Sequence, residues 1–238
     1  MPNPIQLILT KKPKNVTILE GFPGFGLVAT ITTEYLLDHL KCEKIGSLWF
    51  EEMPASVAIH SGKVVDPVSF YYCKDYNIVI IHSITPVTGI EWKAADIVAQ
   101  LCKELTAKEL ICVEGVGSPD KTGDKVFYYT NDEIAEKKIK SLKIDNLGEG
   151  IIIGVTGALM LKTSTKVTCF FAETHSNLPD SKAAANTIVV LDEYLDLDVD
   201  VKPLYKKAEE FEKKLKTIME QQMQTKEQKE QKELRYVG

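Results

Sequence analysis

Three groups of residues in this chain have types and spacing that could support chemistry. The first is Gly21-Phe22-Pro23-Gly24-Phe25-Gly26, which lies between an apolar run and a stretch of helical spacing. A strand, a glycine-rich turn and a helix start make the place where backbone amides cradle phosphates. The spacing here is G-x-x-G-x-G, Pro23 removes one amide donor, and no Lys-Ser/Thr pair follows as in a P-loop. The loop is therefore read as a tight turn that brings the next helix onto the sheet, with Phe22 and Phe25 as packing or contact residues.

The second group is ionisable. The four histidines are His39, His60, His82 and His175. His82 closes the apolar run Ile78–Ile81, and His175 stands two residues after Glu173. Together with the loop Glu114–Ser118 they could meet at one sheet edge and give Ser118, or a water, a base to work with. The enzymatic reading is a small-molecule hydrolase or phosphorylase using Glu114, Ser118, Glu173 and His175. No G-x-S-x-G elbow and no H-E-x-x-H accompanies them. The plainer account makes them structural polar residues, with no catalytic, cofactor or metal residue expected. Trp92 is likewise assigned to the core.

The third group is Leu234-Arg235-Tyr236-Val237-Gly238, which follows a run made almost wholly of Lys, Glu and Gln (220–233). Such a polar segment lacks the apolar surface to order itself. Leu234, Tyr236, Val237 and a carboxylate on Gly238 form an anchor that a pocket on another protein could capture, with Arg235 among them.

Bulk properties limit the classes open to this chain. It has 238 residues, 44% hydrophobic and 26% charged, ample for one large α/β core. No apolar run reaches the roughly 18 residues of a membrane span, and Met1-Pro2-Asn3-Pro4 does not open a signal peptide. The five cysteines (Cys42, Cys73, Cys102, Cys112, Cys169) contain no CxxC pair and are odd in number, so neither a disulfide framework nor a zinc knuckle is expected, and a reducing cytosol fits best. Net charge is −5; residues 203–238 carry +2, which leaves −7 on residues 1–202. An acidic body repels nucleic acid. Neither nucleic acid nor membrane is an expected partner.

The elements that must position these groups follow from periodicity. Strands are expected at Ile5–Leu9, Val16–Leu19, Ile45–Phe50, Ile78–Ile81, Leu110–Val113, Val126–Thr130, Ile151–Val155 and Val167–Ala172. Val57–His60, Lys63–Val65 and Ser69–Tyr72 read as an appended antiparallel ribbon. Helices are expected over residues 27–40 and Ile90–Leu105, from the Asn131-Asp132-Glu133 cap to about Ser141, at Thr156–Leu161, and over Asp180–Leu195. Strands alternating with helices imply a three-layer α/β domain, its mostly parallel sheet covered on both faces. This core domain spans residues 1–202, and a C-terminal helical tail occupies 203–238.

In the tail, Leu204, Ala208, Phe211, Leu215 and Ile218 step by 4, 3, 4 and 3, the coiled-coil period. Two heptads cannot hold a helix pair alone. The stripe needs its own body or a sister subunit to pack on.

Three of these segments, in this order, resemble the proteasome assembly chaperone family in its archaeal branch. They are Gly21-Phe22-Pro23-Gly24 with Gly26-Leu27-Val28; Gly154-Val155-Thr156-Gly157-Ala158-Leu159; and Glu173-Thr174 through Pro179-Asp180 with Lys182-Ala183-Ala184-Ala185. The resemblance spans about residues 5–198. It implies a three-layer fold similar to nucleoside phosphorylases, a homo-oligomer, and a C-terminal segment that docks between proteasome α subunits through a hydrophobic–tyrosine–any-residue ending. The match at that ending is partial: Val237 and Gly238 follow Tyr236, and Arg235 precedes it. The expected function is a non-enzymatic, chaperone-like scaffold. The enzyme, and a structural oligomer whose tail only joins subunits, stand as the alternatives.

Overall fold

Burial on both faces selects strands made of continuous apolar runs, and four such runs build the centre of the molecule. In the computed structural model these are β2 (Thr17–Gly21), β7 (Ile78–Ser83), β8 (Glu109–Gly117) and β11 (Val167–Thr174). The model describes residues 6–60, 62–117, 124–175 and 178–208. The four central strands are parallel, in the order β7-β2-β8-β11. Beyond β7 the sheet continues antiparallel through β6 (Val68–Cys73), β3 (Cys42–Trp49) and β1 (Gln6–Leu9). Beyond β11 lie β9 (Val126–Thr130), antiparallel, and the two-residue β10 (Asp145–Asn146). Among the described residues this makes one mixed sheet of nine strands.

Helices cover both faces. α1 (Val28–His39) and α5 (Ser181–Leu195) pack together on one; α2 (Glu91–Glu104) and α4 (Val155–Lys162) pack together on the other. α3 (Glu133–Ser141) packs on β9, its N-terminus capped by Asp132, which accepts a hydrogen bond from the Ile134 amide. Strand side chains alternate between the layers. Ile18, Ile81, Leu110, Cys112, Cys169 and Phe171 join α2 and α4 in the main core, whereas Gly21 faces Thr33 of α1. The three-layer α/β architecture expected from the sequence is therefore present.

Several element assignments differ. The ribbon is confined to β4 (Ala58–His60) and β5 (Lys63–Val65), and β6 has joined the main sheet, where Val68, Ser69 and Phe70 are buried. Glu114–Gly117 is not a loop but the last part of β8, held by pairing to β11. Residues 151–153 form no strand: Ile151 is 92% and Ile153 79% exposed, so their hydrophobicity does not mark a buried run. Trp92 is 55% exposed rather than core, with the Lys162 ammonium 5.8 Å from its ring centre.

Cysteine counting is also corrected. Cys42 and Cys73 stand opposite each other on β3 and β6 and form a disulfide, while Cys102, Cys112 and Cys169 are buried thiols. Spacing in sequence could not reveal a pair that only strand register brings together. Among the described residues, no helix is long and apolar enough to cross a membrane.

The chain divides into two units, residues 1–199 and 200–238. Within the second, residues 202–208 are helical, and Asp200 accepts a hydrogen bond from the Lys202 amide at 3.0 Å to start the turn. Leu204 and Ala208 belong to that helix. Phe211, Leu215, Ile218 and the anchor Leu234–Gly238 lie outside the described residues.

Candidate functional site

β2 is flanked by β7 and β8; the chain leaves β2 toward the β7 side of the sheet, to β3, and leaves the adjacent β8 toward the β11 side, to β9. Ligands in open α/β sheets bind at such a point, beyond the carboxyl ends of the strands. A cavity of about 870 Å³ opens there, within the usual range for small-molecule sites.

Its most polar feature comes from strand alternation. Glu20, two residues after Ile18 on β2, must face the same layer, and in register it stands beside Cys112 of β8. Glu114, two residues after Cys112, points the same way. Two carboxyls therefore meet at the wall of one cavity. Glu20 is 1% exposed; its Oε1 accepts the Phe22 amide at 2.9 Å, and its Oε2 has no hydrogen-bond partner. Glu114 Oε1 accepts the Phe25 amide at 3.2 Å, and Oε2 accepts the Thr156 hydroxyl, at the start of α4, at 3.3 Å. The glycine loop, the acidic strand and the second glycine turn thus converge on one carboxylate.

Desolvation dominates the electrostatics. Burial pushes Glu20 from its ordinary 4.5 up to about 8, and the Glu114 charge adds to the rise. Burial pushes Glu114 up to about 7. Glu91, Glu149 and Glu173 also line the cavity, and no Lys, Arg or His does so among the described residues. Phe22, Phe25, Val87, Phe127, Leu147 and Ile152 give it apolar walls.

The residues singled out for catalysis do not assemble in full. Glu114 and Glu173 share the cavity, with Glu173 Oε2 accepting the Lys125 amide at 3.0 Å. His175 is exposed and does not line it, and Ser118 lies outside the described residues. His82 is buried on β7, its Nδ1 2.9 Å from the Thr33 hydroxyl, and burial lowers its pKa. His39 donates from Nδ1 to the Tyr35 carbonyl at 2.7 Å and stacks on that ring. Each is held by a hydrogen-bond partner within the fold. The side chain of His60 lies outside the described set. Among the described residues no cluster of three or more His, Cys, Asp or Glu could hold a metal.

Sequence reasoning missed Glu20. The available signal was a charged residue directly after the fully apolar Ile18-Leu19, immediately before the glycine turn.

The fold and site define a three-layer α/β protein with an acidic cavity at the switch point of its sheet. The chain belongs to the PAC2 family, whose model matches residues 18–219. It is similar to PbaA of Pyrococcus furiosus, described as an archaeal homolog of proteasome-assembly chaperone: identity is 30%, coverage is 96% of this chain and 97% of that one, and the TM-score is 0.83. PbaB of the same organism, described as an archaeal proteasome activator, has 23% identity, covers 92% of this chain and 100% of its own, and gives a TM-score of 0.79; at that identity it supports the fold alone. An uncharacterised protein of Methanocaldococcus jannaschii is 28% identical over 216 residues, 88% of each chain.

Proposed function

We propose that this protein is a non-enzymatic, proteasome-assembly-chaperone-like scaffold of the cytoplasm, a homo-oligomer whose C-terminal tails dock on proteasome α subunits. The observation that carries the reading is 30% identity with PbaA over nearly the whole of both chains, within a shared family fold.

In this reading residues 1–202 form the core domain and 203–238 the tail. Leu204, Ala208, Phe211, Leu215 and Ile218 pack the tail helix or join subunits. Leu234, Arg235, Tyr236, Val237 and Gly238 are the anchor, with Tyr236 filling a pocket and Val237 adding apolar contact. Several weak anchors on one oligomer combine through effective concentration, so each can be feeble while the assembly binds firmly. A cytoplasmic protein with a disulfide has precedent in hyperthermophilic organisms, whose intracellular proteins are disulfide-rich.

The test compares the full chain with a variant lacking Leu234–Gly238, each mixed with archaeal proteasome α subunits and weighed by native mass spectrometry. Loss of the complex with an unchanged oligomer is the expected result. Unchanged binding overturns the anchor. If removing residues 204–238 alters oligomer size and no complex with α subunits forms in either case, the tail serves only to join subunits.

A further inference from the structure

We propose that the cavity at the carboxyl ends of β2 and β8 binds a small organic cation with an apolar body, an aryl amine or amidine, whose nitrogen is held between Glu20 and Glu114. This goes beyond the scaffold reading and does not depend on it.

The lining sets the ligand's charge. Of the 22 described residues around the cavity five are Glu and none is Lys, Arg or His. These carboxyls favour a cation over an anion.

The orphaned oxygen sets its hydrogen bonding. Buried acceptors almost always have a donor, yet Glu20 Oε2 has none. The nearby donors are already engaged. The Phe22 amide serves Glu20 Oε1 and the Phe25 amide serves Glu114 Oε1; the Thr156 hydroxyl also acts on Glu20, but it lies 3.3 Å from Glu114 Oε2 and its single proton cannot serve both. The Cys112 thiol, beside Glu20 in register, is only a weak donor. The site lacks an N–H, and a cationic nitrogen brings both that donor and the missing positive charge.

Volume and walls set its size. About 870 Å³ is far more than a metal ion fills. A hard divalent ion would also need more oxygen ligands than two carboxyls provide, and no metal-holding cluster occurs among the described residues. Phe22, Phe25, Phe127 and Leu147 offer flat and aliphatic surface to a ring or short chain.

The experiment titrates the full chain with benzamidine by calorimetry at pH 8.5, above the value of about 8 to which burial raises Glu20. Benzamide serves as the neutral isostere and benzoate as the anion. Saturable benzamidine binding is expected, at least about tenfold tighter than either analogue. Glu20→Gln and Glu114→Gln should each weaken it about tenfold or more, the scale of one charge-assisted hydrogen bond. If either Gln variant fails to fold, Leu147→Trp narrows the cavity with both carboxyls in place and should abolish binding. The proposal is overturned by no saturable binding, by equal affinity for benzoate, or by binding that persists unchanged in the folded variants.

Discussion

A Cβ added to Gly24 would lie 1.9 Å from Oε1 of Glu114. The backbone of Gly24 is extended, with φ −129°, so the glycine is there for room rather than for a special dihedral. Its missing side chain lets the buried carboxylate reach the Phe25 amide. Gly24→Ala forces the carboxylate or the loop aside. Overpacking of this kind costs about 1–3 kcal/mol, which lowers Tm by roughly 2–12 °C in a chain this long. The substitution should cost less in a Glu114→Ala background, with a coupling of about 1 kcal/mol in a double-mutant cycle. Equal costs in both backgrounds would place the steric limit elsewhere.

The two raised carboxyls make stability fall with rising pH. Glu20 stands near 8 and Glu114 near 7 in the folded chain, against 4.5 for each ordinarily. From about pH 4.5 to 8 the folded state therefore holds protons that the unfolded state has released, and the linkage slope is negative. The stability these groups contribute is fully present below pH 4.5 and is lost progressively through 7 and 8. Glu114, Cys112, Thr156 and the Phe22 amide are the groups that act on Glu20. Glu20→Gln removes the buried charge and keeps the shape. Its Tm should match the parent near pH 5 and exceed it by at least about 3 °C at pH 8.5. A constant difference across that range would contradict a buried, titrating Glu20.

The sheet's parallel centre was legible because strands buried on both faces are apolar without interruption, as in Ile78–Ile81 and Leu110–Val113. The amphipathic stripes of α2 and α5 and the Asp132 cap were equally readable. Ile151 and Ile153 misled because apolar composition does not encode exposure. The ribbon was drawn too large because β6 pairs with β3, a partner far away in sequence. Half of the cavity's carboxyl pair was visible in Glu114. Glu20 escaped notice because only side-by-side register with β8 shows that its charge faces another acid.

Register also makes a prediction about the cysteines. Cys42 and Cys73 are cross-strand partners joined as a disulfide. Alkylation of the denatured chain without reductant should therefore label three thiols, Cys102, Cys112 and Cys169, and all five cysteines after reduction. Replacing both Cys42 and Cys73 by Ala should lower stability by about 2–4 kcal/mol. Five reactive thiols before reduction would disprove the bond.

Asp180 ties the start of α5, the end of β11 and the glycine loop together, and its removal should be felt in each. Its Oδ1 accepts the Ala183 amide at 2.9 Å and caps α5; its Oδ2 accepts the Thr174 hydroxyl at 2.8 Å at the end of β11. Its own amide donates to the Gly26 carbonyl at 2.9 Å. Gly26, at φ +65°, is a backbone position only glycine adopts freely, and it adjoins Phe25, whose amide holds Glu114. Loss of the cap costs about 1 kcal/mol, and loss of the buried hydroxyl bond about as much again. Asp180→Ala should therefore lower Tm by roughly 4–8 °C, whereas Asp180→Asn, which keeps the capping oxygen, should lower it less. Thr174→Val removes only the second bond and should be worth about half of the Ala effect. In the Asp180→Ala background Thr174→Val should cost little more, because their shared bond is already gone. Full additivity of the two would mean that Thr174 and Asp180 act separately, and that the end of β11 is not what fixes the glycine loop against the cavity.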